Sequence, residues 1–127
     1  MIAEKLHAMV ELDLDNSRMK DVYDIWTLSQ QFDFAGSTLT QAIAATFAKQ
    51  HRPIPTEPPI ALTAAFAEHP FKAAQWKAFL RRTRLDVGEH TLATIIPMLD
   101  GFLSPLLKAV ANRQSFTAFW SAGGPWK

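Results

Sequence analysis

The sequence predicts an all-α fold, an irregular bundle of about five to seven helices with no sheet. Apolar residues recur at helical spacing from the first turn onward, as at Ile2, Leu6, Met9 and Val10. No stretch alternates polar and apolar residues with the period of two that a half-buried strand requires. The 127 residues are 48% hydrophobic, with nine Phe and four Trp, enough to bury a core without staples. Cysteine is absent, which removes disulfides, thiolate metal sites and Cys nucleophiles. The net charge of +1 argues against a protein that coats nucleic acid generically, although local basic clusters still matter. No internal repeat is visible.

The elements follow in order. The opening helix holds Ile2, Leu6, Met9 and Val10 on one stripe. Leu12–Ser17 (LDLDNS) reads as a loop, because Asp and Asn compete with helix by bonding their own backbone. A second helix, from about Arg18 to Gln30, is expected to bury Val22, Ile25, Trp26 and Leu28. Phe32–Gly36 makes a turn. Thr38 and Gln41 have the spacing of a capping box and open a third helix through Ile43 and Phe47 to about Lys49. Residues 52–59 (RPIPTEPP) carry four prolines in eight positions, which excludes helix and central strand. This stiff connector is expected to cross one surface of a single domain spanning 1–127. Leu62–Ala67 forms a short helix, and Pro70 suits the first turn of another that runs to about Arg82. His90–Val110 is long and apolar but interrupted by Pro97, Gly101 and Pro105, which predicts two helices or one kinked helix. The aromatic tail from Ser115 to Lys127 ends in Gly-Gly-Pro and is expected to be loose, with Trp120 and Trp126 free to serve a partner surface. No apolar run reaches the roughly 20 residues of a bilayer span, and a soluble cytoplasmic protein with no membrane partner is the default.

Charge chemistry concentrates near the amino end. Lys5 has an ordinary reading as a solvent-facing lysine beside Glu4, and a functional one as a point charge for phosphate oxygens. In Ser17–Trp26 (SRMKDVYDIW), Asp21 and Asp24 are three apart and can project toward one point, while Lys20 and Asp24 form an i,i+4 pair. A local ion-pair lattice would explain them. So would a site at the border of core and water, where carboxylates orient a lysine or help hold a magnesium-bound nucleotide. His7, His51, His69 and His90 lack metal-ligand spacing, and His69 before Pro70 fits a helix start. Arg81-Arg82-Thr83-Arg84 complements a helix C-terminus, or contacts RNA phosphates.

At IAEKLHAM and NSRMKDVYDIWTLS the chain resembles the AbiEii/AbiGii-type nucleotidyltransferase toxins of type IV toxin–antitoxin and abortive-infection systems. The similarity runs on through FDFAGSTLTQAIAATFAKQ and the WKAFLRR region. It covers the C-terminal helical portion of such toxins, whose N-terminal palm carries a Gly-Ser turn and an Asp-x-Asp pair that bind magnesium and NTP. The resemblance implies that Lys5 is the phosphate-contacting lysine, Asp21 the pocket aspartate and Asp24 the second aspartate of the motif. Arg18 and Lys20 are flanking basic positions for substrate. It further implies nucleotide transfer onto RNA, with a cognate antitoxin as partner.

Two departures shape the expectation. Gly36-Ser37 is not followed by carboxylates, and the Asp13/Asp15 pair of LDLD precedes it within a loop. The chain is therefore expected to lack the metal-binding palm, to hold no metal of its own, and to be inactive alone. Mg²⁺ and NTP enter only if a palm is supplied. The competing expectation is a non-catalytic helical module that binds a protein partner or RNA. Apolar surface around Ile2 and Val10, left uncovered by the missing half, would favour a homodimer.

Overall fold

The computed structural model describes residues 2–12 and 19–127. They form α1 (Ile2–Leu12), α2 (Met19–Gln31), β1 (Phe34–Ala35) and α3 (Gly36–Lys49). A 3-10 turn (Ile60–Leu62), α4 (Ala64–Ala67), α5 (Pro70–Thr83), α6 (Leu92–Ala111) and β2 (Phe119–Trp120) follow. The all-α class holds. The strands are two residues each and pair antiparallel, Phe34 with Trp120 and Ala35 with Phe119. The expected loop after α1 lies outside the described residues.

α6 is the centre of the bundle, packed against α2, α3, α4 and α5. It is one helix through Pro97 and Pro105, neither broken nor divided. Each internal proline costs a helix about 3 kcal/mol. Nine buried residues from Leu92 to Ala109 offset that, since a buried aliphatic or aromatic side chain contributes about 1.5–3 kcal/mol. The N–H of Thr91 donates to Thr94 Oγ1 at 2.9 Å and closes the first turn. Continuity makes α6 long and apolar enough by length and composition to cross a membrane, against the expectation of no such run. Here it serves as the packed core helix, with Leu99, Phe102, Leu103 and Leu106 sealed on all sides.

Residues from both sides of the proline-rich connector share this core, including Ile43 and Phe47 before it and Phe66, Trp76 and Phe79 after it. The connector itself runs along the C-terminal half of α6, leaving a groove between Pro55, Pro58, Leu107 and Lys108. Its first residue is tied down: Arg52 Nε donates to His7 Nε2 at 3.2 Å, and the His7 ring meets Phe47 edge-on. His69 caps α5 by accepting from the N–H of Phe71, with Pro70 at the first helical position as expected. Along α2, Val22 and Ile25 are fully buried, whereas Trp26 and Leu28 are only half-buried. The apolar surface expected on α1 is largely covered, because Ile2 is buried and Val10 packs against the core.

Two expectations fail for one reason, the tail. α3 begins at Gly36, two residues before Thr38, and has no side-chain cap. Its first N–H donates to the carbonyl of Ala118 at 2.9 Å, so a distant segment satisfies a donor that a local cap would have taken. The tail is also packed, not loose. Trp126 stacks on Phe102, its Nε1 donates to the Phe102 carbonyl at 2.9 Å, and Trp120 Nε1 donates to Ser29 O at 2.7 Å. Phe119 and Lys127 exchange both backbone hydrogen bonds, at 2.8 and 3.0 Å. Trp120 is therefore buried and Trp126 partly buried against the core, rather than free in a loose tail.

A Cβ at Gly36 would collide with the Phe116 ring and sit 2.8 Å from Ala118 O. Gly36→Ala should therefore destabilise the fold by about 1–3 kcal/mol, an overpacking penalty. Trp126→Ala should cost about 3 kcal/mol through lost burial and the cavity left over Phe102. Thermal denaturation of both variants checks this. A melting temperature unchanged by either one would mean that the tail is not bound as described.

Candidate functional site

The sequence places Lys5 and the α2 carboxylates on helix flanks for a simple reason. In α1, Ile2, Leu6 and Met9 face the core, and Lys5 falls beside that stripe. In α2, Met19, Val22, Ile25 and Ser29 make the buried stripe, and Asp21 lies at its margin within the helix's first turn. A carboxylate there also complements the positive end of the helix dipole. Packing α1 against α2 brings these flanks together.

The result is a lysine held between two aspartates. Lys5 Nζ lies 3.1 Å from Asp21 Oδ1 and 2.9 Å from Asp24 Oδ2. Lys20 Nζ reaches the same Asp24 oxygen at 2.7 Å. Depth is graded: side-chain exposure is 2% for Asp21, 20% for Lys5, 21% for Asp24 and 72% for Lys20. The cluster is thus anchored in the core at one end and open to water at the other. Lys5, Lys20 and Asp21 line a cleft of about 450 Å³ whose other wall is Phe79, Arg82 and Thr83 of α5.

Electrostatics fix the protonation states. The hydrogen bond to Asp24 is the main influence raising the Lys5 ammonium above its ordinary 10.5, outweighing the opposing effect of burial. Burial alone would raise Asp24, but hydrogen bonds from Lys20 and Lys5 overcome it and hold the carboxyl below its ordinary 3.8. Lys5 is therefore a permanent cation at neutral pH and is unsuited to act as a general base. What it can do is attract and orient an anion.

Of the residues singled out from sequence, Lys5, Lys20, Asp21 and Asp24 come together, while Arg18 lies outside the described residues, as do Asp13 and Asp15. His7, His51, His69 and His90 do not join the cluster; His7 pairs with Arg52, and His90 meets the Trp26 ring. Among the described residues no three His, Asp or Glu side chains are placed to share a metal ion. Arg82, with Thr83 and Phe79, was not predicted as part of the cleft. The Arg81–Arg84 run was visible in the sequence, but nothing there joined it to a lysine almost eighty positions earlier.

The acid limb of stability should report this cluster. Asp24 is held below its ordinary value, so the folded chain binds fewer protons than the unfolded one in that range. Its contribution is complete above about pH 5 and drains away as pH falls through the lowered value. Asp24→Asn should flatten the fall in melting temperature as the pH is lowered below about 5. Identical acid limbs for the two proteins would show that the ion pairs do not stabilise the fold.

Comparison with known families gives a match over residues 1–104 to the model described as Nucleotidyl transferase AbiEii toxin, Type IV TA system. No curated protein and no solved structure matches the chain. The matched segment contains both helices of the lysine–aspartate cluster and the α5 wall opposite them. With most of its length covered, including every described residue of the cleft, this chain belongs to the AbiEii family of nucleotidyltransferase toxins from type IV toxin–antitoxin systems.

Proposed function

We propose that the cleft is the phosphate-handling half of a nucleotidyltransferase site, which acts when metal-holding carboxylates are supplied by another polypeptide segment. One observation carries this reading: the Lys5 ammonium, fixed between Asp21 and Asp24, stands at a cleft whose accessible cations are Lys20 and Arg82. In the reaction class an NTP transfers its nucleotidyl group to an acceptor hydroxyl, and the protein contributes chiefly by positioning and by neutralising charge. Lys5 would hold phosphate oxygens of the NTP as a point charge. Asp21, the deepest member, keeps Lys5 aimed into the cleft. Asp24 shares its oxygen with Lys5 and Lys20, so an incoming phosphate can take over those contacts without unburying Asp21.

The carboxylates among the described residues of the cleft are already engaged by lysine. Asp21 and Asp24 both contact Lys5, and no third ligand among the described residues joins them. A metal would be held by carboxylates from elsewhere, so no step is assigned to one here. The family implies a cognate antitoxin as partner; an RNA acceptor and a cytoplasmic setting belong to this proposal.

The test separates binding from transfer. ATP titrated into the chain by calorimetry should bind, and Lys5→Gln should weaken it at least tenfold, about 1.4 kcal/mol. Circular dichroism confirms that the variant is folded. With magnesium, labelled NTP and tRNA, the 127-residue chain alone should incorporate no nucleotide. ATP binding indifferent to Lys5 would leave only a non-catalytic module. Incorporation by the chain alone, abolished by Lys5→Gln, would refute the need for outside carboxylates.

A further inference from the structure

We propose that Arg81, Arg82 and Arg84, at the C-terminal end of α5, position the phosphodiester backbone of an RNA acceptor along the rim of the cleft. This inference rests on reading the cleft as a phosphate-handling site and adds to it where the acceptor enters.

The argument begins with placement. All three arginines are exposed, and Arg82 also lines the cleft with Lys5 and Lys20, so the arginine run reaches the cleft at Arg82. Lys77 and Arg81 lie one helical turn apart on α5, Arg84 is the residue that caps it, and all three are exposed. Arg84 closes α5 with a left-handed backbone (φ 57°), which turns the chain away and leaves the row uncovered.

Charge comes next. The carboxylates across the cleft are occupied, Asp21 by Lys5 and Asp24 by Lys5 and Lys20. Asp86, the acidic residue closest in sequence, accepts from the N–H of Gly88 at 2.7 Å. None of the three arginines has an ion-pair partner among the described residues. Three cations within four positions, followed by Asp86 and Glu89, thus stand at one end of α5 in a chain whose net charge is +1. Guanidinium groups match phosphate oxygens with two parallel hydrogen bonds, which suits a backbone track better than a single buried contact.

Composition favours RNA over a protein partner. Protein interfaces draw their energy from apolar or aromatic anchors at the centre of the patch. The exposed residues neighbouring the ledge on α5 are Lys77, Ala78 and Thr83, none of them aromatic or large and apolar. The exposed aromatic of this helix, Phe71, lies at its opposite end, about 15 Å away by helical rise.

Fluorescence anisotropy of labelled tRNA with the 127-residue chain, across a salt series, tests the proposal. The triple substitution Arg81→Ala, Arg82→Ala and Arg84→Ala should weaken binding at least tenfold. It should also make the slope of log affinity against log salt shallower by about two, near 0.7 per lost phosphate contact on a single strand. Arg81→Ala with Arg84→Ala should leave ATP binding unchanged. Arginine-dependent tRNA binding without ATP binding would uphold the ledge while the reading of the cleft falls. tRNA affinity and slope unmoved by the triple substitution, or no tRNA binding by the native chain, would overturn the ledge assignment.

Discussion

The contact between Lys5 and the two aspartates of α2 is the constraint on which the functional reading depends. It joins the first two helices through charge at a place where their apolar stripes have already brought them together. A buried ion pair is weak evidence of stability, since removing its members from water costs about what their attraction returns. Its worth here is positional. With Asp21 nearly sealed and Lys20 largely exposed, the cluster grades from a fixed anchor to a mobile cation. The outer members are therefore open to water while the inner one preserves the geometry.

The same grading explains why a lysine suits this place. Its pKa is pushed upward, chiefly by Asp24, so no physiological pH neutralises it. A catalytic base would call for the reverse, burial without a counter-ion. What Lys5 offers is thus charge and orientation, which is much of what phosphoryl transfer demands of a protein outside the metal site.

Much of this was legible in the sequence, for local reasons. The stripes of α1 and α2 follow from 3.6-residue periodicity, and the i,i+3 and i,i+4 spacings among Lys20, Asp21 and Asp24 set their shared side. Pro70 marked the start of α5 because its missing N–H costs nothing there. What escaped was long-range. Thr38 lost its capping role because Gly36 was satisfied by Ala118, more than eighty positions later. Pro97 and Pro105 looked like breaks because propensity is local, while the burial that overrides it depends on every neighbouring helix. Trp120 and Trp126 resembled a free tail because their partners, Ser29 and Phe102, sit on other elements. Arg82 entered the cleft through the packing of α5 beside α2, which no spacing rule encodes.

The closing of Trp126 over Phe102 has a consequence for the order of events during synthesis. Chains emerge amino end first, and the helices preceding residue 112 can collapse while the final segment is still being added. Until that segment arrives, Phe102 lacks its stacking partner and the first turn of α3 lacks the acceptor offered by Ala118. A nascent or prematurely cleaved form ending before Ser115 would thus expose an adhesive aromatic face to chaperones and proteases. Residues 115–127 seal Phe102 and complete the first turn of α3 from a distance.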